Sequence, residues 1–111
     1  MAEKRKYKRV NIKSVAEVAL PDGDFDQAYI GGISRGGLEM YTGKEMKKDQ
    51  SCKITLHFLY EGREMIETTD GRIKWSASFK NAFVSGVEFT KVLNAQENPN
   101  LLSYIQKAES F

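Results

Sequence analysis

The chain has one cysteine, one histidine and two prolines among 111 residues, and each scarcity removes a class of function. A lone Cys52 makes an internal disulfide impossible and suits a reducing compartment, so the chain is expected to work in the cytoplasm. With His57 as the only histidine, a zinc site of the usual Cys/His kind lacks ligands, and neither metal nor cofactor is expected. Long apolar runs are also missing, so no segment is predicted to insert into a membrane. The charged start is not followed by an apolar stretch of secretory type, which argues against a signal peptide. At this length, with 41% hydrophobic and 29% charged residues, one globular domain with a small core is expected.

What is present is unevenly distributed. Residues 1–13 hold six Lys/Arg against one Glu, a net charge of +5, including Lys4-Arg5-Lys6-Tyr7-Lys8-Arg9. The other 98 residues hold eleven Lys/Arg against fourteen Asp/Glu, a net of −3, so the overall +2 conceals a cationic arm on a mildly acidic body. That layout suits an anionic partner captured at one end, while the acidic body disfavours a long nucleic acid lying across it.

Beyond the arm the pattern is mostly of strands. Residues 14–20 (SVAEVAL) mix apolar and polar positions as a strand does, and Pro21-Asp22-Gly23-Asp24 reads as a turn. Residues 25–33 form a second strand and 38–41 a short return strand after a glycine cluster. Residues 51–60 give the clearest signal, with Cys52, Ile54, Leu56 and Phe58 on one face and Lys53, Thr55 and His57 on the other. Glu61-Gly62 is a hairpin turn into 63–66, and 71–76 (GRIKWS) and 82–89 (AFVSGVEF) are further strands. Six or seven strands with short turns predict a closed or nearly closed antiparallel barrel over residues 14–93. Within 94–111 the period changes: Asn98 is placed to cap, Pro99 suits the first helical position, and Leu101, Leu102, Ile105 and Ala108 mark one helical face. A helix over 99–108 packing on the barrel is expected.

Two motifs carry chemistry. On an extended arm, Arg5, Tyr7 and Arg9 share a face, with the two arginine Cα atoms at most ~13 Å apart. Arginine grips phosphate with a planar fork, stacks on bases and bonds the O6/N7 edge of guanine. The second motif is Gly31-Gly32-Ile33-Ser34-Arg35-Gly36-Gly37, where glycine admits positive φ or close approach of a ligand, and Ser34 adds a hydroxyl. Taken singly, these read as a solvated basic tail and a tight hairpin.

Taken together, Arg5-x-x-x-Arg9 followed by Gly32-Ile33-Ser34-Arg35-Gly36-Gly37 resembles the PilZ domain. Its signature is Arg-x-x-x-Arg and then, some 20 to 30 residues on, Asp/Asn-x-Ser-x-x-Gly. Gly71-Arg72-Ile73-Lys74-Trp75 and Gly86-Val87-Glu88-Phe89 extend the likeness, which runs from about residue 5 to 92. The resemblance implies a six-stranded antiparallel β-barrel with a C-terminal helix and a flexible basic N-terminal arm over 1–13. It also implies a receptor for cyclic di-GMP, a bacterial second messenger. Carried over residue by residue, Arg5 and Arg9 clasp phosphates and guanine edges, Ser34 contacts the guanine and Gly37 keeps the turn open. Lys4, just ahead of the motif, is implicated in whether one or two ligands bind, and Arg35 and Trp75 are additional candidates, for phosphate and for base stacking. Gly32 departs from the pattern, because the family has Asp or Asn there to accept hydrogen bonds from guanine. A lost charged hydrogen bond is worth ~1.5–3 kcal/mol, about 10- to 100-fold in affinity.

On this reading the arm is mobile until ligand folds it across the barrel mouth, and the new surface signals to a separate effector protein. The alternative is a degenerate PilZ domain acting as a ligand-independent interaction module, for which Gly32 is the main argument. A third reading is a small barrel that binds nucleic acid through the arm. Catalysis is not expected: Gly32-x-Ser34-x-Gly36 spells a hydrolase elbow, but a strand follows it where that motif needs a helix.

Overall fold

The structure, a computed structural model, describes residues 6–110. Six strands and one helix follow in the order β1 (Ser14–Ala19), β2 (Phe25–Ile33), β3 (Gly37–Thr42), β4 (Ser51–Tyr60), β5 (Arg63–Phe79), β6 (Ala82–Phe89) and α1 (Pro99–Glu109). The antiparallel sheet runs β1-β2-β3-β6-β5-β4 and closes through pairing of β1 with β4, which makes it barrel-like and leaves no free edge among these strands. The alternation expected of β4 holds, with Cys52, Ile54, Leu56 and Phe58 all buried. Opposite them Val18, Ile33, Met40 and Ile73 fill the interior at 0% exposure.

Two spans expected as separate strands, 63–66 and 71–76, are one continuous 17-residue strand. β5 pairs with β4 from Arg63 to Arg72 and with β6 from Gly71 to Phe79, the latter with one register shift after Ile73, so it turns the corner of the barrel without breaking. Glu61 and Gly62 both take positive φ (52° and 79°), the twist a two-residue hairpin needs.

The barrel's packing begins ahead of β1. Val10 and Ile12, within the segment assigned to the arm, are 7% and 6% exposed, and Val10 exchanges backbone hydrogen bonds with Ile33 at 2.7 and 2.9 Å. At the other end α1 covers the barrel with Leu101 and Ile105, each fully buried and each contributing about 2 kcal/mol. Tyr104 packs edge-on against Phe58 and Tyr60. The helix cap differs from expectation. Asn98 makes no side-chain cap; its Nδ2 donates instead to the Thr68 carbonyl. Glu67 of β5 accepts from the backbone N–H groups of Asn100 and Leu101, both at 3.0 Å, and so caps α1 from across the fold.

Candidate functional site

Two bulges set the parity of one outer face. A regular strand sends i and i+2 to the same side, so Trp75 would follow the buried Ile73 inward. A register shift between Ile73 and Trp75 turns it outward instead, where it is 43% exposed. A second shift, between Ile30 and Gly32, gives β2 an extra residue, so that Ile30 and Ile33 both face the core. The result is a row across four strands: Gly32 pairs with Glu39, Glu39 with Gly86, and Gly86 with Trp75.

The glycines on this side accommodate larger groups laid over them. A Cβ at Gly86 would overlap the Trp75 indole at Nε1, and one at Gly37 would overlap the Val87 carbonyl oxygen. A Cβ at Gly32 would sit 3.0 Å from Arg9 Cδ, and one at Gly36 would sit 3.0 Å from the Tyr7 ring. None of these four glycines has positive φ, so their use here is close approach, not left-handed backbone.

The arm is held to this face by the Val10–Ile33 bridge. Tyr7 lies over Gly36 in the turn between β2 and β3, and Arg9 lies over Gly32 near the end of β2. That turn is closed by Ser34: its N–H donates to the Gly37 carbonyl at 2.8 Å, and its Oγ accepts from the Gly36 N–H at 3.2 Å. The Gly36 carbonyl accepts from Phe89 N–H and the Arg35 carbonyl from Leu93 N–H, which fixes the turn against the end of β6. Between arm, turn and indole lies an open cleft of about 390 Å³, lined among others by Tyr7, Arg9, Ser34, Gly36, Gly37 and Trp75.

Its charges favour an anion. Lys6, Arg9 and Lys74 line the cleft and Glu88 is an acid on its wall, 3.7 Å from Lys74. Arg9 is partly exposed, and its Nη1 donates to Glu39 Oε2 at 3.4 Å. Arg35 turns away: its Nε and Nη2 donate to both carboxylate oxygens of Glu109 at 3.0 and 2.6 Å. Those hydrogen bonds hold the guanidinium above its ordinary pKa.

Of the residues expected from sequence, Arg9, Ser34, Gly37 and Trp75 meet at the cleft, and Gly32 lies beneath the Arg9 stem. Arg35 is committed to α1. Arg5 and Lys4 lie outside the described residues. Lys74 lines the cleft and Glu39 adjoins it through its bond to Arg9; neither is among the residues expected from sequence. Glu39 faces Gly32 across the hairpin, but the bulge at Gly31 hides that pairing from simple counting back from the turn. The hydrolase elbow is not formed, since Ser34 sits between two strands and His57 is bonded to Glu17 at 3.1 Å. No group of three or more His, Cys, Asp or Glu suited to a metal occurs among the described residues. Nor is any helix there long and apolar enough to cross a membrane.

The sequence matches the family described as PilZ domain over residues 3–107. No curated protein matches it. Among solved structures, the Bacillus subtilis inhibitor of motility (MotI/DgrA) is similar with a TM-score of 0.78 at 12% identity, over 98% of this chain and 53% of that one. The PilZ domain of Escherichia coli YcgR, with c-di-GMP, gives 0.69 at 13% identity, over 97% of this chain and 93% of that one. The complex of K. pneumonia MrkH with c-di-GMP gives 0.63 at 17% identity, over 99% of this chain and 56% of that one. The chain thus spans about half the length of MotI/DgrA and of MrkH. At such identities these likenesses show the fold.

Proposed function

Because this chain belongs to the PilZ domain family, we propose that it is a receptor for cyclic di-GMP that passes its signal to a separate partner protein. The observation that carries this reading is the convergence of Arg9, the Ser34–Gly37 turn and the Trp75 indole on one cleft. The ligand's chemistry fits each part. Its two phosphates suit the Arg9 fork and the Lys6 and Lys74 ammonium groups, and its guanines suit an indole that stacks on one face. Two of the structural neighbours are c-di-GMP complexes. Arg5 is proposed as the second clasping arginine, and Lys4 as the residue that tunes ligand number. Ser34 and Gly37 form the floor on which a guanine rests.

In this mechanism the ligand tightens an arm that is already anchored on the barrel face through Val10, and the ordering cost is offset by phosphate–arginine contacts. The signal is the altered arm and turn. Arg35 carries it toward α1 through Glu109, so a partner reading either surface senses occupancy. The activity proposed is binding, in the cytoplasm, with no catalytic step.

One observation favours the second reading, a ligand-independent interaction module. Gly32 offers a guanine no side chain, and Tyr29, Leu59 and Ile66 are 71%, 66% and 56% exposed on the outer surface, as for a protein partner. Calorimetric titration with cyclic di-GMP, with GTP and linear pGpG as controls, separates the two. Saturable binding of the cyclic dinucleotide alone supports the receptor; no heat with any of the three supports the module.

A further inference from the structure

Resting on that reading of the cleft, we propose that Glu39 is the residue that selects guanine, by accepting hydrogen bonds from the base edge beside Trp75. Glu39 is the only residue in the Gly32–Glu39–Gly86–Trp75 row with a carboxylate, and both of its cross-strand partners are glycine. Directly opposed residues stand ~5 Å apart, so with no side chain at 32 or 86 the space on either side of Glu39 is open to larger groups. Each space is used. The Arg9 stem comes down over Gly32, and the indole of Trp75 crosses Gly86. The Arg9 guanidinium therefore flanks the carboxylate on the β2 side, and the indole lies over the glycine that adjoins Glu39 on the β6 side.

That arrangement has a definite recognition chemistry. A purine resting on the indole presents its Watson–Crick edge in its own plane, and an edge directed across Gly86 of β6 faces β3, which carries Glu39. Guanine offers two parallel donors on that edge, N1–H and the exocyclic amine, which a carboxylate accepts together. Adenine offers a ring acceptor beside its amine, which repels one of the carboxylate oxygens. Glu39 thus discriminates guanine from adenine, and Arg9, held to the same carboxylate at 3.4 Å, sets its orientation while keeping further donors for a phosphate. Glu39 is partly shielded, with 24% of its side chain exposed, so a base laid over it completes the exclusion of water.

The test compares wild type, Glu39→Gln and Glu39→Ala by calorimetric titration with cyclic di-GMP, with its two-hypoxanthine analogue and with cyclic di-AMP. Hypoxanthine keeps N1–H and lacks the amine, so it reports the second hydrogen bond alone. Thermal unfolding of each variant first confirms a wild-type transition. The expected result is a roughly 10- to 100-fold preference of wild type for guanine over hypoxanthine that shrinks to a few-fold in both variants, with cyclic di-GMP affinity falling by a similar factor. Three outcomes overturn the proposal: unchanged affinity in the variants, tighter binding once Glu39 no longer occupies Arg9, or equal loss for both guanine and hypoxanthine ligands. If wild type binds none of the three, it is the receptor reading itself that fails.

Discussion

Arg35 reaches 74 residues along the chain to Glu109, joining the turn between β2 and β3 to the last turn of α1 through two hydrogen bonds of 3.0 and 2.6 Å. The turn is also the floor of the cleft, and its Arg35 carbonyl accepts from Leu93 N–H in the segment leading to the helix. Cleft and helix are therefore mechanically continuous. Glu109→Ala is expected to speed amide exchange at 34–36 and at 107–110 together, read by hydrogen–deuterium exchange. Acceleration confined to the helix end would mean the ion pair does not couple the two.

Gly37 and Gly86 make opposite predictions from similar crowding. At Gly37 the added Cβ meets the Val87 carbonyl, a backbone group in the β3–β6 ladder that cannot give way cheaply. Gly37→Ala is expected to lose about 1–3 kcal/mol in denaturant unfolding. At Gly86 the obstacle is the Trp75 side chain, which can swing out. Gly86→Ala is expected to shift the emission of this single tryptophan to longer wavelength with a smaller loss of stability. The reverse ranking would show that the indole is not seated on Gly86.

Removing the Glu67 carboxylate tests the cap of α1. It accepts two backbone N–H groups at the helix start and also the Asn100 side chain, all at 3.0 Å. Glu67→Ala should cost about 1–2 kcal/mol and reduce helical ellipticity, the range for a lost N-cap. Asn98→Ala should leave those helix-start bonds in place and act only through its bond to the Thr68 carbonyl.

Cys52 gives a pH signature. Burial, with a smaller contribution from the Asp70 charge, pushes its thiol up to about 11. The folded chain therefore keeps this proton at pH values where the unfolded chain has released it. The contribution to stability is full below about pH 9 and declines as pH rises toward 11. Native protein should resist alkylation by iodoacetamide at pH 8 and react once unfolded. Rapid labelling of the native chain would place the thiol at the surface.

How far these features were legible in the sequence depends on how far apart their causes lie. The β4 alternation, the Glu61-Gly62 hairpin and the Leu101/Ile105 face of α1 are written in neighbouring residues and were readable. The continuity of β5 was not, because Gly71 resembles a break and only the change of partner from β4 to β6 explains why the strand runs through it. The Glu67 cap lies more than thirty residues from the groups it bonds. At the cleft, the meeting of Arg9, Ser34 and Gly37 follows from a motif, whereas the pairing of Glu39 with Gly32 emerges only when the bulge at Gly31 is known. Val10 and Ile12 were hidden by their setting, two apolar residues among the charges of the arm.

The measurement that bears most directly on the account is the affinity of cyclic di-GMP for wild type, Arg9→Ala and Arg9→Lys, determined by calorimetry at fixed salt. Arg9 is the described arginine of the arm that reaches the cleft, and its planar fork is what lysine lacks. The account predicts selective binding by wild type and a loss of at least about 10-fold in both variants, with lysine failing to rescue. Wild-type affinity in Arg9→Ala would contradict it.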